Sequence, residues 1–157
     1  FGPAGCAPRL APGAVVVSSA TMSPADARRL AAMADRRGLL WLDAPVSGGA
    51  AKAAEGAMTV MASGSPAAFA KARPVLDAVA SKVWDLGAEP GIGATVKVAH
   101  QLLAGVHIAV AAEALSLAAR AGADPRQFYE VVTSAAGNSW MFENRMERVL
   151  EGDDAPR

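Results

Sequence analysis

The stretch AVVVSSATMSPADARRLAAMADRRGLLWLDAP, residues 14–45, decides the fold. AVVVSS (14–19) is a short β-branched run that reads as a buried strand by length and composition. SPADARRLAAMADRRG (23–38) follows with helix punctuation at both ends. Ser23 suits the N-cap, Pro24 the first turn, Asp26 the N3 position and Gly38 the C-terminal cap. LLWLDAP (39–45) then reads as a second strand.

Further along, VSGGAAKAAEG (46–56) reads as a Gly/Ala-rich loop and AMTVMASG (57–64) as a third strand. SPAAFAKARPVLDAVA (65–80) is a second helix, again opened by Ser then Pro, with Pro74 expected to kink or divide it. KVWDLG (82–87) is a fourth strand. This alternation predicts an α/β layer whose strands are partly parallel. From Gly91 onward the strand signals stop. A long helix is expected over 94–121, ending at Gly122, with Val96, Leu103, Val110 and Leu117 forming a heptad-spaced apolar seam. A second helix follows Asp124-Pro125 over 126–137, and a third covers 138–152. The change of character over 89–93 divides the chain into an α/β part, 1–90, and a helical part, 91–157.

Composition narrows the function classes. The chain of 157 residues is long enough to bury a core in one domain or two small pieces. Fifteen Lys and Arg balance fifteen Asp and Glu, so no charge excess points to nucleic acid or an anionic membrane. Cys6 is the only cysteine, which excludes an internal disulfide, and no Cys/His spacing suggests a metal. A reducing, cytoplasmic setting is expected. No basic segment followed by an apolar core marks a signal peptide. The apolar run after Lys97 holds His100, Gln101 and His107 and meets Glu113 before the ~20 residues a bilayer span needs, so no membrane crossing is expected. The chain starts at Phe1 in a Gly/Pro-rich segment and ends on EGDDAPR, which reads as a piece of a longer chain.

Three segments carry chemistry. The first is GATVKVAHQLLAG (93–105), where Lys97 is the only Asp, Glu, Lys or Arg between Pro90 and Ala112. A snorkelling stem is the ordinary explanation for such a lysine. The alternative is an ammonium desolvated in a cleft, with its pKa lowered into a range useful for proton transfer. His100 and Gln101 lie three and four residues on, so the three polar groups share one face of an apolar helix. The second segment is DAPVSGG (43–49), after a strand, where α/β proteins place ligand loops. Ser47 offers a hydroxyl, and Gly48 and Gly49 let backbone N–H groups approach a carboxylate or phosphate, although Ser-Gly-Gly alone is ordinary turn punctuation. The third is SATMSP (19–24), which joins a strand end to a helix start. GNSWMFENR (137–145) is either an aromatic packing corner or a polar lip over a substrate. His107 lies on another face than His100 and reads as a packing or hydrogen-bonding residue.

In this order the segments resemble the β-hydroxyacid dehydrogenase family, which includes 3-hydroxyisobutyrate and tartronate semialdehyde dehydrogenases. SATMSP looks like the family's Ser-Thr-x-x-Pro segment, and DAPVSGG matches its substrate-binding signature. GIGATVKVAHQ matches its G-x-G-x-x-x-K-x-x-N-[NQ] segment, with His100 where Asn is usual. KVAHQLLAGVHIAVAAEA with AAGNSWMFENR is similar to the branch acting on threonate.

The resemblance implies the second half of a Rossmann-like NAD-binding domain followed by the start of an all-α domain. It also implies hydride transfer between NAD or NADP, with NAD favoured, and a small hydroxy acid such as a four-carbon sugar acid. Lys97 would be the catalytic acid/base, and Ser47, Gly48 and Gly49 would hold the substrate carboxylate. Gln101 and His100 would orient the substrate. Asn138 and Ser139 would close the polar end of its pocket, and Thr21 would lie beside the nicotinamide ribose. A homo-oligomer, dimer or tetramer, is expected. G-x-G-x-x-G does not occur; GIGATV (91–96) begins like it but lacks the third glycine and is rejected as a dinucleotide turn. The chain by itself is therefore expected neither to bind NAD well nor to turn over. The rival readings are a 2-hydroxy-3-oxopropionate reductase or 3-hydroxyisobutyrate dehydrogenase within the family, and a non-catalytic Rossmann-like binding or assembly module outside it.

Overall fold

The computed structural model describes residues 1–2 and 5–153. Contacts divide the chain into one compact unit over residues 1–99 and a second that begins at His100.

In the first unit, a 3₁₀ turn (Ala7–Arg9) leads to β1 (Val15–Ser18), α1 (Pro24–Asp35) and β2 (Leu40–Asp43). β1 and β2 pair in parallel, from Val15 opposite Leu40 to Ser18 opposite Asp43. The expected loop 46–56 instead contains β3 (Val46–Ser47) and a short helix, α2 (Gly49–Ala54). Alanines make that helix possible, and the two-residue strand is held only by its pairing with β4 (Met58–Gly64), which no local signal announces. α3 (Pro66–Val79) and β5 (Ala80–Asp85) complete the unit. β4 runs antiparallel to β2 and β3 and parallel to β5, so the sheet is mixed. Pro74 does not divide α3. It lies on the exposed side of the helix, where a carbonyl left without its N–H partner can be hydrated.

The two faces of β2 build two cores, as the period of a strand requires. Leu42 and Ala44 pack with Val60, Ala62 and the α3 residues Ala68, Ala72 and Leu76. Leu39 and Trp41 pack with Ala31 and Ala34 of α1. Helices thus cover both faces through alanines at near-four-residue spacing, which lets them lie close to the sheet. Ser23 and Ser65 cap these helices by accepting from the Asp26 and Ala68 amides.

α4 (Ile92–Arg120) is a single helix of 29 residues whose first turns belong to the first unit. In the second unit it is followed by α5 (Pro125–Thr133) and α6 (Trp140–Glu151). Ala111 and Leu115 of α4 pack with Phe142 and Met146 of α6. Tyr129 stacks on Phe142 with ring centroids 5.7 Å apart, and Phe128 meets the same ring edge-on at 6.2 Å. Asp124 caps α5, and Gly152 ends α6 in the left-handed conformation at φ +68°.

Among the described residues nothing covers the apolar seam of α4. Val96, Leu103, Val110 and Leu117 are all exposed, as are Leu102 and Val106. An 18-residue window of α4 has a mean hydropathy of 1.8, so by length and composition this helix could cross a membrane, and Glu113 does not cut the run short as the sequence suggests. Core helices of soluble proteins pass the same test.

Candidate active site

The site in the first unit is built where β1 and β2 end together. In an open α/β sheet, the carboxyl ends of parallel strands are where ligands bind. β1 ends at Ser18 and opens into the segment carrying Thr21, which is exposed. β2 ends at Asp43 and opens into Ala44-Pro45 and then Ser47, Gly48 and Gly49.

Ser47 is half-buried in β3 opposite Thr59. Gly48 and Gly49 follow with φ +141° and +68°. A Cβ on Gly48 would stand 2.6 Å from Cβ of Lys52, so sterics and backbone both demand glycine there. A Cβ on Gly49 would meet nothing within 4 Å. The backbone at Gly49 is therefore bare and open to a ligand.

The first turn of α4 is held from below. Asp43 is fully buried, and its Oδ2 accepts from the Gly91 amide at 3.1 Å and the Ala94 amide at 2.8 Å. Ser63, paired opposite Asp43 across the sheet, accepts from the Gly93 amide through Oγ at 3.0 Å. A Cβ on Gly93 would lie 2.5 Å from the Met61 carbonyl oxygen and 2.9 Å from that of Asp43. The glycines of GIGATV thus let a helix start rest on two strand ends. Their amides are occupied by Asp43 and Ser63, which supports rejecting this turn as a phosphate cradle. Burial pushes the Asp43 carboxyl above its ordinary pKa, against the opposing pull of the Ala94 and Gly91 amides. Its Oδ1 has no hydrogen-bond partner among the described residues.

Lys97 lies one turn beyond Ala94 and is only 6% exposed. It is not a snorkelling surface lysine. Burial lowers its pKa from the ordinary lysine value, and no other cause contributes. A lysine so placed has its pKa moved down toward the range in which an acid/base group works.

Asp43 and Ser63 were not singled out in the sequence. The available signal was an aspartate ending an otherwise apolar strand, LLWLDAP, since aspartate is almost never fully buried unless paired.

The remaining predicted residues belong to the second unit. His100 is half-buried and Gln101 exposed, and His100 Nδ1 and Gln101 Oε1 are 3.2 Å apart. Asn138 Nδ2 donates to the Thr133 carbonyl at 3.1 Å and to Glu143 Oε1 at 2.6 Å. Ser139 caps α6 by accepting from the Phe142 amide at 3.0 Å. Both therefore have structural work in the α5–α6 corner. Both also line a cavity of about 240 Å³, with His107, Phe128 and Phe142 among its other walls. Among the described residues no group of three or more His, Cys, Asp or Glu side chains is placed to hold a metal ion.

Comparison with known proteins accounts for both units. Residues 1–87 match the family model described as the NAD binding domain of 6-phosphogluconate dehydrogenase. Residues 91–157 match the model described as NAD-binding of NADP-dependent 3-hydroxyisobutyrate dehydrogenase. The chain is 60% identical to L-threonate dehydrogenase of Escherichia coli (strain K12) over 156 residues, covering 99% of this chain and 52% of that protein. The crystal structure of 3-hydroxyisobutyrate dehydrogenase from Salmonella typhimurium superposes with a TM-score of 0.91 at 61% identity, covering 97% of this chain and 53% of that one. A structure of Psf3 in complex with NADP+ and 2-OPP superposes with a TM-score of 0.89 at 29% identity, over 96% of this chain and 53% of that one. The chain spans about half the length of the curated relatives it matches.

Proposed function

Because the chain belongs to the β-hydroxyacid dehydrogenase family, we propose that its protein transfers a hydride between a nicotinamide cofactor and a small hydroxy acid, with Lys97 managing the proton. The observation that carries this reading is the burial of Lys97 on an apolar helix, with its pKa lowered by desolvation alone. A buried lysine is costly to keep, and an acid/base role accounts for that cost where a purely structural one supplies no partner for it. The division into an α/β domain over 1–90 and a helical domain over 91–157 is part of the proposal, and the two family models meet at the same place.

The residues at the strand ends fit the nicotinamide end of the cofactor. Thr21 is exposed beyond the carboxyl end of β1 and would hydrogen-bond the ribose. The Gly91 and Gly93 amides are already paired, so the pyrophosphate is not assigned to them. When bound, the nicotinamide supplies or accepts the hydride. Ser47 would hold the substrate carboxylate with its hydroxyl, helped by the backbone amides of Gly48 and Gly49, of which Gly49 faces open space. Lys97 would take the proton of the substrate hydroxyl during oxidation and return it to the carbonyl oxygen during reduction. Its apolar surroundings exclude water and favour the neutral amine that starts oxidation. His100 and Gln101, three and four residues after Lys97 on the same helix, would orient the substrate.

L-threonate is the proposed substrate, because it appears in the name of a relative that is 60% identical over nearly the whole of this chain. The equally similar Salmonella protein is named for 3-hydroxyisobutyrate. The experiment is an absorbance assay at the NADH band, with NAD and NADP in turn, on the complete gene product and its Lys97→Met variant. Turnover of L-threonate in preference to 3-hydroxyisobutyrate, lost in Lys97→Met, is the expected result. Preference for 3-hydroxyisobutyrate would move the substrate assignment, and unchanged kcat in the variant would remove Lys97 from the mechanism. A cytoplasmic homo-oligomer completes the proposal; the exposed seam of α4 supports it by offering a surface for a second copy.

A further inference from the structure

We propose that Asp43 is a positioning residue for Lys97, its carboxylate pinning the first turn of α4 to the end of β2 so that the lysine one turn later is presented at a fixed height and rotation. The inference rests on the catalytic reading of Lys97. Its basis is a contrast among the helices. α1, α3, α5 and α6 are each capped by the residue just before them. The amides of Gly91 and Ala94 are instead held by a side chain 48 and 51 residues away, and that of Gly93 by one 30 residues away. A local cap would start the helix equally well but would not fix where the helix stands on the sheet.

Asp43 and Ser63 are paired directly across β2 and β4, so the three amides rest on one rigid rung of the sheet. Gly93 permits the close approach, since any side chain there would strike the Met61 and Asp43 carbonyls. With those amides held, the register and rotation of the next turn follow from helix geometry, and Lys97 lies in that turn. A fully buried aspartate whose second oxygen has no partner among the described residues is also an expensive way merely to begin a helix. Asp43 itself touches no reacting atom in this account.

The test uses the complete gene product with lysine labelled at 13Cε, the Lys97 resonance being assigned by its loss in Lys97→Met. Asp43→Ala is expected to lower kcat by about 10²-fold, the scale of an ångström misplacement, while KM changes little. The same variant should move the Lys97 titration toward the ordinary lysine range. Asp43→Asn keeps an acceptor for the Gly91 and Ala94 amides and should recover most of both properties. Ser63→Ala removes only the Gly93 anchor and should give a smaller effect of the same kind. If Asp43→Ala yields no folded protein, Ser63→Ala decides. Folded variants whose kcat and Lys97 titration match the parent overturn the inference, as does a loss in stability with no change in either. If Lys97→Met keeps its kcat, the catalytic reading fails, and the titration still decides whether Asp43 sets the lysine.

Discussion

The carboxylate of Asp43 at the end of β2 and the amide of Ala94 in the first turn of α4 meet at 2.8 Å, fully buried, across 51 residues of sequence. This bond joins the α/β layer to the helix that carries Lys97. It explains why a strand rich in apolar residues ends on an acid and why the helix it meets begins with glycines.

The pH dependence of Asp43 follows from its surroundings. Burial raises its folded pKa above the unfolded value of about 3.8. The native state therefore binds this proton more tightly than the unfolded state. The contribution is fully present below the unfolded pKa and is lost as pH rises through the folded one. Urea midpoints of the parent and Asp43→Asn, compared across the acidic range, should show the parent losing stability relative to the variant as pH rises. A constant difference would count against the raised pKa.

For Lys97 the sign is the other one. Its folded pKa is depressed below the unfolded value of about 10.5. Between the two values the unfolded state binds more protons, so stability rises with pH there and is lower below the folded pKa. Lys97→Met should be more stable than the parent at neutral pH, and the gap should close in alkaline solution. Thermal melts over the neutral-to-alkaline range check this. A variant less stable than the parent at neutral pH would mean that the ammonium is compensated rather than merely desolvated.

Gly93→Ala places a methyl 2.5 Å from the Met61 carbonyl oxygen. Backbone cannot swing away as a flexible side chain can, so α4 must lift from the strands. A destabilisation of about 1–3 kcal/mol is expected, the usual scale of overpacking, measured by denaturant titration. Gly105→Ala in the same helix meets nothing within 4 Å and should be neutral or stabilising by up to ~1 kcal/mol.

Ser139 separates a structural from a substrate-binding role. As the N-cap of α6 it should cost about 1 kcal/mol on substitution by Ala, and Ser139→Asp should restore most of that. If Ser139 also contacts substrate, KM in the complete protein should rise in both variants, because the aspartate would repel a carboxylate. A KM that follows stability alone assigns Ser139 to capping.

Core truncation tests the sheet itself. Leu42 is fully buried between β4 and α3. Leu42→Ala should cost about 2–5 kcal/mol in urea unfolding.

What the sequence determined by itself is what local rules govern. Ser-Pro and Asp-Pro pairs at 23–24, 65–66 and 124–125 mark helix starts, and the structure caps each one there. The β-branched run at 14–19 and the apolar run at 39–45 become adjacent parallel strands, as a strand–helix–strand order predicts. The lone lysine in its apolar setting and the Ser-Gly-Gly segment were also legible, because their oddity is visible in composition and spacing. Tertiary structure alone decided the rest. The pairing of β3 with β4 overrode a loop reading of 46–56, since strand pairing depends on a partner distant in the chain. Whether Lys97 is buried or snorkels depends on what packs around its helix, not on the helix. The roles of Asp43 and Ser63 exist only because the sheet sets them side by side beneath amides that lie far along the chain. A hydrogen bond across such a separation leaves no period and no cap signature, so folding has to bring the groups together before their purpose can be read.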